Sequence, residues 1–419
     1  MRALEADMSQ VFDVAVIGAG AAGIGAGRRL MSAGASFVVL EARDRVGGRA
    51  LTIGEPYPLD LGCGWLHSGE RNVMAAIAES LGFELDRTPA PWQRQSGEQG
   101  VNDAEQRAFR RAFAAFEERI DRGAEQNPSV AASSYLEEGG RWNALINAVF
   151  AYISGASLDC IDARDYARYE DTGVNWRVRK GYGALFAALA AALPVRLETI
   201  VRAIDHSRTT LTIATTRGDI EARAAIITAP VSIFAQIALT PDLSGKREAA
   251  ASLPMGAAEK LYFALRDAEE FPIDGHLFPR LDTIEMGSYH LRPMGRPLIE
   301  AYFGASLARH LAEAGAETMA DYARGELANL LGSSFPKRLT MLAASSWARD
   351  PWARGSYSYA KPGCAEARQL LAAPHGALFF AGEACSRARY STAHGAYETG
   401  VEAGDQALAF LAQRSMPTG

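Results

Sequence analysis

The first forty residues contain the feature that most constrains the fold. FDVAVI, residues 12–17, is an apolar, β-branched run typical of a buried parallel strand, and GAGAAG, residues 18–23, follows it directly. An alanine-rich helix is predicted as far as Ala33, and a second apolar run from Ser36 to Leu40 ends in Glu41. Strand, glycine turn, helix, strand and acid in this order predict a dinucleotide-binding βαβ unit.

The small residues and the acid of this unit each have a physical role toward a dinucleotide. Gly18 permits the tight turn, Gly20 lets a pyrophosphate approach the backbone, and Gly23 lets the helix and strand pack closely. The helix start, including Ala22, offers free N–H groups and a partial positive charge to phosphates. Glu41 is placed to accept hydrogen bonds from ribose hydroxyls, and its charge disfavours the 2′-phosphate of NADP.

Composition and charge remove several classes of function. Lys and Arg total 43 against 49 Asp and Glu, a formal charge of −6, so we do not expect a nucleic-acid binder. The longest apolar stretch, from Gly183 to Val195, is too short to cross a bilayer. The four cysteines form no CxxC pair or zinc pattern, so no metal site is predicted. The acidic N-terminus lacks a secretory h-region, and we expect a cytoplasmic, soluble protein without a membrane anchor.

A second glycine-rich segment follows Glu41. It reads ARDRVGGRA, residues 42–50. One interpretation is a surface loop with solvated charges. The functional interpretation is that Gly47 and Gly48 bring the backbone near a cofactor while Arg43 and Arg49 address its phosphates or adenosine. Ala42 is counted among the cofactor-binding residues of this segment.

Beyond these motifs, the chain resembles the flavin-dependent amine oxidases, a family of monoamine oxidases, polyamine oxidases and flavin histone demethylases. The matching segments lie in the family's order along nearly the whole chain. They are LDLGCGWLHSG (59–69), LETIVRAID (197–205), AAIITAP (224–230), MGAAEKLYF (255–263), SSWARDPWARGSYSYAKPG (345–363) and LFFAGEACSRARYSTAHGAYETGVEAG (378–404). Residues from about 90 to 150 and much of 265–340 match no motif.

The resemblance implies an α/β fold with a Rossmann-type FAD-binding domain and an interleaved α+β substrate-binding domain. The FAD domain would comprise residues 1–90, 180–232 and 340–419, and the substrate domain residues 91–179 and 233–339. Separately, the residue pattern predicts the following elements: a helix over Glu105–Arg122 with Phe109, Phe113 and Phe116 in the core, strands at 258–265, 284–290 and 297–303, a C-terminal helix over 395–413, and a surface loop from Pro89 to Gly100.

The resemblance also implies FAD as cofactor and a set of residues around it. In covalent monoamine oxidases the position matching Ser356 is a cysteine that bonds the flavin; serine cannot do this, so we predict non-covalent FAD. The helix near Gly395 would direct its dipole at the flavin. The further cofactor-binding residues implied are Gly62, Gly64, Trp65, Val201, Trp347, Gly382, Glu383, Gly395 and Ala396.

Lys260 is the predicted catalytic residue, because a lysine inside an apolar strand is rarely buried without cause. The resemblance implies that it holds a water near flavin N5 and assists the reaction with dioxygen. His67, Trp65 and Tyr357 are implied on the substrate side. The second aromatic wall of monoamine oxidases corresponds here to Ala396, so Tyr397 or another aromatic residue would have to replace it.

The implied reaction is oxidation of the C–N bond of a small or mid-sized primary or secondary amine, a class that includes polyamines. Hydride passes to flavin N5, an imine forms, and dioxygen is reduced to hydrogen peroxide. Three alternatives stay open: an L-amino-acid oxidase, with Arg168 or Arg292 binding the carboxylate, a desaturase or protoporphyrinogen-type oxidase, and a flavin-bound scaffold without turnover. The sequence does not indicate the oligomeric state or the physiological electron acceptor.

Overall fold

A computed structural model describes residues 11–93, 102–125 and 128–415 of the chain. Its strands are β1 (Val11–Ile17), β2 (Phe37–Leu40), β3 (Thr52–Ile53), β4 (Leu59–Asp60), β5 (Leu85–Asp86), β6 (Arg177–Val178), β7 (Val195–Arg196), β8 (Val201–Asp205), β9 (Leu211–Thr215), β10 (Gly218–Ile227), β11 (Ala238–Thr240), β12 (Ala258–Leu265), β13 (Gly275–Leu277), β14 (Ser288–Leu291), β15 (Leu298–Gly304), β16 (Leu339–Ala344) and β17 (Leu378–Phe380). Its α-helices are α1 (Ala21–Ser32), α2 (Val73–Ser80), α3 (Asp103–Gly123), α4 (Asn143–Ser154), α5 (Ala163–Ala167), α6 (Tyr182–Ala190), α7 (Val231–Phe234), α8 (Ser244–Ala251), α9 (Ala305–Ala314), α10 (Ala316–Leu331), α11 (Ala367–Ala372) and α12 (Ala393–Ser415). The predicted loop from Pro89 to Gly100 falls outside the described residues beyond Gln93.

The larger sheet has the strand order β11-β8-β9-β10-β1-β2-β7, and β17 also pairs with β10. Strand β1 lies parallel between β10 and β2, while β8, β9 and β10 form an antiparallel meander. Both faces of β1 are covered. Val14 and Val16 face the core under α1, α6 and α12, whereas Ala15 and Ile17 face the core under α7, α8 and α11. A continuous apolar run is what a strand buried on both faces requires.

The smaller sheet is antiparallel, with the order β13-β14-β15-β12-β16. One face packs on α9 and α10, through alternate residues such as Leu261 and Phe263 of β12. Because successive side chains alternate between faces, Lys260 and Tyr262 point to the opposite side. The sequence-predicted strand over 258–265 matches β12, and the one over 297–303 matches β15 within one residue.

A separate helical cluster is formed by α3, α4 and α5. Phe116 is fully buried there, and Phe109 and Phe113 pack against the same core. The prediction that this aromatic face is structural is therefore confirmed. The N-cap of α3 is a capping box between Asn102 and Glu105, which explains why the helix begins two residues earlier than the sequence pattern indicates.

The packing shows which elements beyond residue 232 join the larger sheet. The sequence-based boundary at 232/233 assigns β11 and α8 to the substrate domain, but β11 pairs with β8 of the larger sheet. Leu253 and Met255, which follow α8, lie in the core of that sheet as well. The segment that crosses to the smaller sheet therefore begins after Met255, just before β12. Among the described residues, no helix is both long and apolar enough to cross a membrane.

Helices α1 and α12 pack closely enough that their backbones touch. A Cβ atom on Gly25 would lie 2.3 Å from the carbonyl oxygen of Tyr397, and one on Gly400 would lie 2.0 Å from that of Ala22. Only glycine fits at such positions. The contact joins the N-terminal βαβ unit to the last helix of the chain.

Gly400→Ala should therefore lower the free energy of unfolding by about 1–3 kcal/mol, because the added methyl group meets backbone atoms that cannot move aside. Gly325→Ala is the matched control: Gly325 lies exposed within α10, and a methyl group added there would have nothing within 4 Å. The control should be neutral or stabilising by roughly 0.5–1 kcal/mol. Urea unfolding of both variants measures the difference, and equal stabilities would show that the helix contact is not sterically tight.

Candidate active site

The turn between β1 and α1 forms a cradle that excludes side chains. Gly18 has φ of +103°, and a Cβ on Gly23 would lie 1.8 Å from the carbonyl oxygen of Gly18. Gly48 approaches from the next loop, where its Cβ would lie 3.1 Å from the Cα of Gly20. The N-cap of α1 has no side-chain hydrogen bond and its first turn, which includes Ala22, has no acid. Its N–H groups are thus available to an anion.

Glu41 is held against this turn by two backbone donors. The N–H of Ala19 donates to its Oε2 at 2.7 Å, and the N–H of Arg43 donates to its Oε1 at 2.9 Å. Burial raises the pKa of Glu41, although these hydrogen bonds and Arg43 oppose the shift. Each oxygen still has a lone pair for a hydroxyl donor. The carboxylate next to Ala42 is thus fixed at the end of β2, beside the glycine turn.

Arg43 has a partner that the sequence did not indicate. Its guanidinium donates to both carboxylate oxygens of Asp350, at 2.6 and 2.7 Å. This bidentate pair occupies the planar fork that the sequence interpretation assigned to phosphate or adenosine. The structure therefore gives Arg43 a different contact, which ties the loop after β2 to the segment that follows Trp347.

Glu383 is the most heavily hydrogen-bonded carboxylate near the cradle. It follows Gly382 after β17 and accepts hydrogen bonds from Arg49, from the N–H and hydroxyl of Ser358, and from the N–H of Ser391. Burial alone would raise the pKa of Glu383, but the nearby arginines hold it below its usual value. An ionised carboxylate is thus fixed beside the glycine segments.

Trp347 is buried and fixed at both ends. Its indole N–H donates to the carbonyl of Leu61 at 2.8 Å, and its backbone N–H donates to Glu259 of β12 at 3.0 Å. A Cβ on Gly62 would meet the carbonyl oxygen of Arg49 at 1.7 Å and the indole at 3.3 Å. The glycine predicted at this position is therefore required by close packing against the tryptophan segment.

Lys260 forms a buried ion pair with Glu300 of the neighbouring strand β15, with Nζ and Oε1 2.8 Å apart. Burial alone would lower the pKa of Lys260, but the Glu300 carboxylate raises it well above its usual value. A Cβ on Gly64 would lie 3.1 Å from Nζ, so a side chain at this position would crowd the ammonium group. The pair faces a small cleft, open to solvent on one side, which Asp60 and Trp65 also line.

The hydroxyl of Tyr357 lies 2.9 Å from that of Tyr302 on β15 and also donates to the carbonyl of Tyr152. The Tyr152 and Tyr302 rings are 6.0 Å apart, so three tyrosines form one group next to the Lys260 strand. Tyr397 lies elsewhere: its ring contacts the Gly25 position in the packing between α1 and α12. Tyr397 was the residue expected as the second cage wall, whereas Tyr302 is the aromatic residue that stands beside Tyr357 in the structure.

His67 has a defined tautomer. The side-chain amide nitrogen of Asn175 donates to the carbonyl of Gly173. The amide oxygen of Asn175 therefore lies 2.6 Å from Nδ1 of His67 and accepts a hydrogen bond from the Nδ1–H group. Burial lowers the pKa of His67, and Nε2 is therefore the unprotonated nitrogen. Burial also lowers the pKa of His394 to about 3, with His67 and Arg389 adding to the shift.

Trp65 lies among charged and aromatic side chains. The guanidinium carbon of Arg177 lies 4.8 Å from the centre of the Trp65 ring. The His290 ring stacks on Trp65 with ring centres 6.3 Å apart, and the Trp92 ring meets it edge-on with ring centres 4.5 Å apart. Arg177 is itself paired with Asp86 and Asp274. The rigid tryptophan is thus a wall of the cavity beside Lys260.

The remaining predicted residues lie where the larger sheet and α12 begin or end. Val201 is the first residue of β8. Helix α12 starts at Ala393, two residues before the predicted start, because the hydroxyl of Thr392 accepts the N–H of Gly395 and acts as a cap. Ala396 follows on the first turn and is buried.

Glu300, Tyr302, Asp60 and Tyr152 escaped the sequence reasoning. The strand LIEAYFG places Glu300 and Tyr302 on one face by its period of two, and that signal was readable. The sequence could not show which face meets the cavity.

A sequence profile described as flavin containing amine oxidoreductase matches residues 21–408. Polyamine oxidase 4 of Oryza sativa subsp. japonica is 28% identical over 96% of this chain and 90% of its own length. Lysine-specific histone demethylase 1B of Mus musculus is 27% identical over 95% of this chain, which spans 53% of that protein.

Solved structures agree in fold. A putrescine oxidase bound to putrescine aligns with a TM-score of 0.81 at 18% identity, over 96% of this chain and 99% of its own. Cyclohexylamine oxidase from Brevibacterium oxydans IH-35A aligns with a TM-score of 0.77 at 21% identity, over 97% of this chain and 99% of its own. The predicted α/β fold class is thereby confirmed.

The neutral state of His394 predicts a loss of stability in acid. In the unfolded chain its pKa returns to about 6.5, so between pH 6.5 and 3 the unfolded state binds a proton that the folded state does not. Lowering the pH from 7 to 5 should therefore reduce the free energy of unfolding by about 2 kcal/mol through His394 alone. His394→Gln should lose correspondingly less stability than the wild type in urea unfolding with excess FAD.

His310→Gln changes an exposed histidine and is the control. It should follow the wild-type pH dependence. Parallel losses in His394→Gln and the wild type would show that His394 is not kept neutral by the fold.

Proposed function

We propose a substrate class and a role for individual side chains in this chain, which belongs to the flavin-containing amine oxidoreductase family and is an FAD-dependent amine oxidase. The proposed substrate is a small or mid-sized primary or secondary amine, with polyamines as the favoured group. The observation that carries the proposal is the grouping of Tyr357 and Tyr302 with the Lys260–Glu300 ion pair on one face of the smaller sheet. The polyamine and putrescine oxidases among the relatives support the substrate class.

The glycine cradle and its flanking acids fit FAD. The bare N-terminus of α1 would hold the pyrophosphate, Glu41 the adenosine ribose, and the segments around Glu383 and Trp347 the flavin half. When bound, FAD would supply the two-electron chemistry, taking up a hydride equivalent from the amine α-carbon and giving the electrons to dioxygen to yield hydrogen peroxide. We propose that it is bound non-covalently, since Ser356 has no thiol and its hydroxyl donates to the carbonyl of Ala258.

The substrate-side residues would orient and neutralise the amine. The hydrogen bond between their hydroxyl groups fixes the Tyr357 and Tyr302 rings relative to each other. The faces of such aromatic rings attract the positive charge of an amine. Nε2 of His67 is the free acceptor that would take a proton from an incoming ammonium. Trp65 would form the apolar side of the pocket, where Arg177 and His290 hold it in place.

Lys260 would act in the reaction with dioxygen. Glu300 keeps its ammonium charged at 2.8 Å, and the cavity beside the pair has room for water. A fixed positive charge stabilises negative charge that develops on reduced oxygen. Lys260 would therefore hold a water molecule and the local charge, while Glu300 keeps the lysine in its charged form.

The amino-acid oxidase alternative has less support from the geometry. Arg168 pairs with Glu366, and Arg292 donates to the carbonyl of Phe271. Neither arginine lines the cavity beside Lys260. The desaturase and scaffold alternatives do not account for the Lys260–Glu300 pair. The cytoplasmic location is likewise proposed on the sequence alone.

The purified protein should show a flavin absorbance band that amines bleach under anaerobic conditions. Putrescine, spermidine and a simple monoamine form the test panel, with L-leucine and protoporphyrinogen as comparisons. Fast bleaching by the polyamines and none by the comparisons is expected. Bleaching by L-leucine alone would replace the proposal with an amino-acid oxidase, and a protein without the flavin band would contradict the cofactor assignment.

Lys260→Met should slow reoxidation of the reduced flavin by dioxygen by about a hundredfold, the scale of a positioned acid or charge, and should slow reduction by amine much less. Stopped-flow measurements separate the two half-reactions. Lys246→Met is the matched control: its ammonium is buried too, but donates to the carbonyls of Leu370 and Leu371 on the other side of the larger sheet. Equal slowing of both half-reactions in Lys260→Met would refute the role in the oxygen reaction.

A further inference from the structure

Tyr357 stands between two serines that are bonded to different parts of the molecule. The hydroxyl of Ser356 donates to the carbonyl of Ala258 at 2.6 Å and accepts its N–H at 2.7 Å, which joins it to the strand of Lys260. The hydroxyl of Ser358 donates to Glu383 at 2.7 Å and accepts from Arg368 at 2.9 Å. The backbone of the tyrosine is therefore fixed from both sides.

Ser358 lies inside a row of alternating charges that is buried from Glu383 to Asp165 and partly exposed at Arg49. The row runs from Arg49 to Glu383, through the Ser358 hydroxyl to Arg368, and on to Asp165. The side chains of Arg368 and Asp165 are 0% and 1% exposed, and the nitrogen–oxygen distance between them is 2.8 Å. Two cations and two anions balance, so each charge is stabilised only while its neighbours stay in place.

Additional contacts make this row rigid. The Arg368 guanidinium stacks on the Tyr390 ring at 3.7 Å. Ser391, next to Tyr390, donates its N–H to Glu383 and its hydroxyl to the carbonyl of Ser358. Every polar group of Ser358 thus has a partner, and the donors of Arg368 are divided between Asp165 and Ser358.

The row connects parts of the chain that are far apart in sequence. Asp165 belongs to the short helix α5 of the helical cluster, and Arg368 to α11 on the larger sheet. Glu383 lies on the cofactor side and Tyr357 on the amine side. Ser358 directly bonds Glu383 and Arg368 and follows Tyr357 in the chain, while Asp165 is connected to it through Arg368.

We propose that Ser358 and Arg368 are positioning residues that fix the cofactor carboxylate Glu383 and the amine-binding Tyr357 together. The inference rests on the roles proposed above for Glu383 and Tyr357. Arg368 is too deeply buried to contact substrate, so it would act through Ser358. A displacement of Ser358 would then weaken cofactor binding and amine binding at once.

Ser358→Ala tests the proposal in the FAD-loaded enzyme. A hydrogen bond to a buried charge is commonly worth tenfold or more in an equilibrium constant, so the dissociation constant of FAD and the KM for the best amine should each rise about tenfold. Ser358→Thr keeps the hydroxyl and should restore both. Arg368→Lys keeps the positive charge but loses the planar guanidinium that bonds Asp165 and Ser358 together. It should raise the FAD dissociation constant and the KM, and it serves as a second variant if Ser358→Ala does not fold.

Tyr289→Phe is the matched control. It removes another buried hydroxyl that donates to a carboxylate at 2.7 Å, that of Glu326, on the face of the smaller sheet that packs on α10. It should lower the melting temperature without changing FAD dissociation or KM. Identical changes in both constants for Tyr289→Phe and Ser358→Ala would overturn the proposal, as would a Ser358→Ala enzyme in which only one of the two constants moves.

The two proposals can fail separately. If no amine reduces the wild-type flavin, the proposed function is wrong, and FAD dissociation still reports whether Ser358 and Arg368 fix Glu383. If amines reduce the wild type and Ser358→Ala binds FAD and amine as tightly as the wild type, the proposed function stands and the positioning role is refuted.

Discussion

The direct contact between the backbones of α1 and α12 is the constraint on which the rest of the structure depends. Gly25 and Gly400 leave no atoms between the helices, so the first βαβ unit and the last segment of the chain are held at a fixed distance. Glu41 and Glu383 are separated by most of the sequence, yet each is positioned by the elements that this contact joins. A looser helix pair would change the spacing between the two ends of a dinucleotide site.

Buried charge is the second organising principle. Lys260 with Glu300, Arg177 with Asp86 and Asp274, and Arg368 with Asp165 are all removed from water, and each is compensated by an opposite charge. Such pairs add little net stability compared with apolar packing, but losing one partner is costly. Their value here is geometric, because each pair connects segments that must meet at the site.

Much of the fold was readable from the sequence because its signals are local. The glycine turn after β1, the acid after β2 and the alternation in β12 all depend on neighbouring residues. The pairing of β11 with β8, beyond the domain boundary expected after residue 232, was not readable because a three-residue strand is too short to give a pattern. The contacts of Arg43 with Asp350 and of Tyr397 with the Gly25 position were not readable for a related reason, because they form only in three dimensions. Glu300 likewise acquires its ion pair from a strand partner 40 positions away.

Adjacent residues of β12 serve opposite sides of the smaller sheet. Glu259 anchors the backbone of Trp347 and Ala348, whereas Lys260 faces the cavity. A slip of one residue in either direction would turn the lysine away from the cavity and the glutamate away from the tryptophan anchor. The irregular pairing of β12 with β16 falls between Tyr262 and Phe263, beyond this pair. Length changes in β12 before residue 261 should consequently be far less tolerated during evolution than substitutions, because one inserted residue disrupts two sites simultaneously.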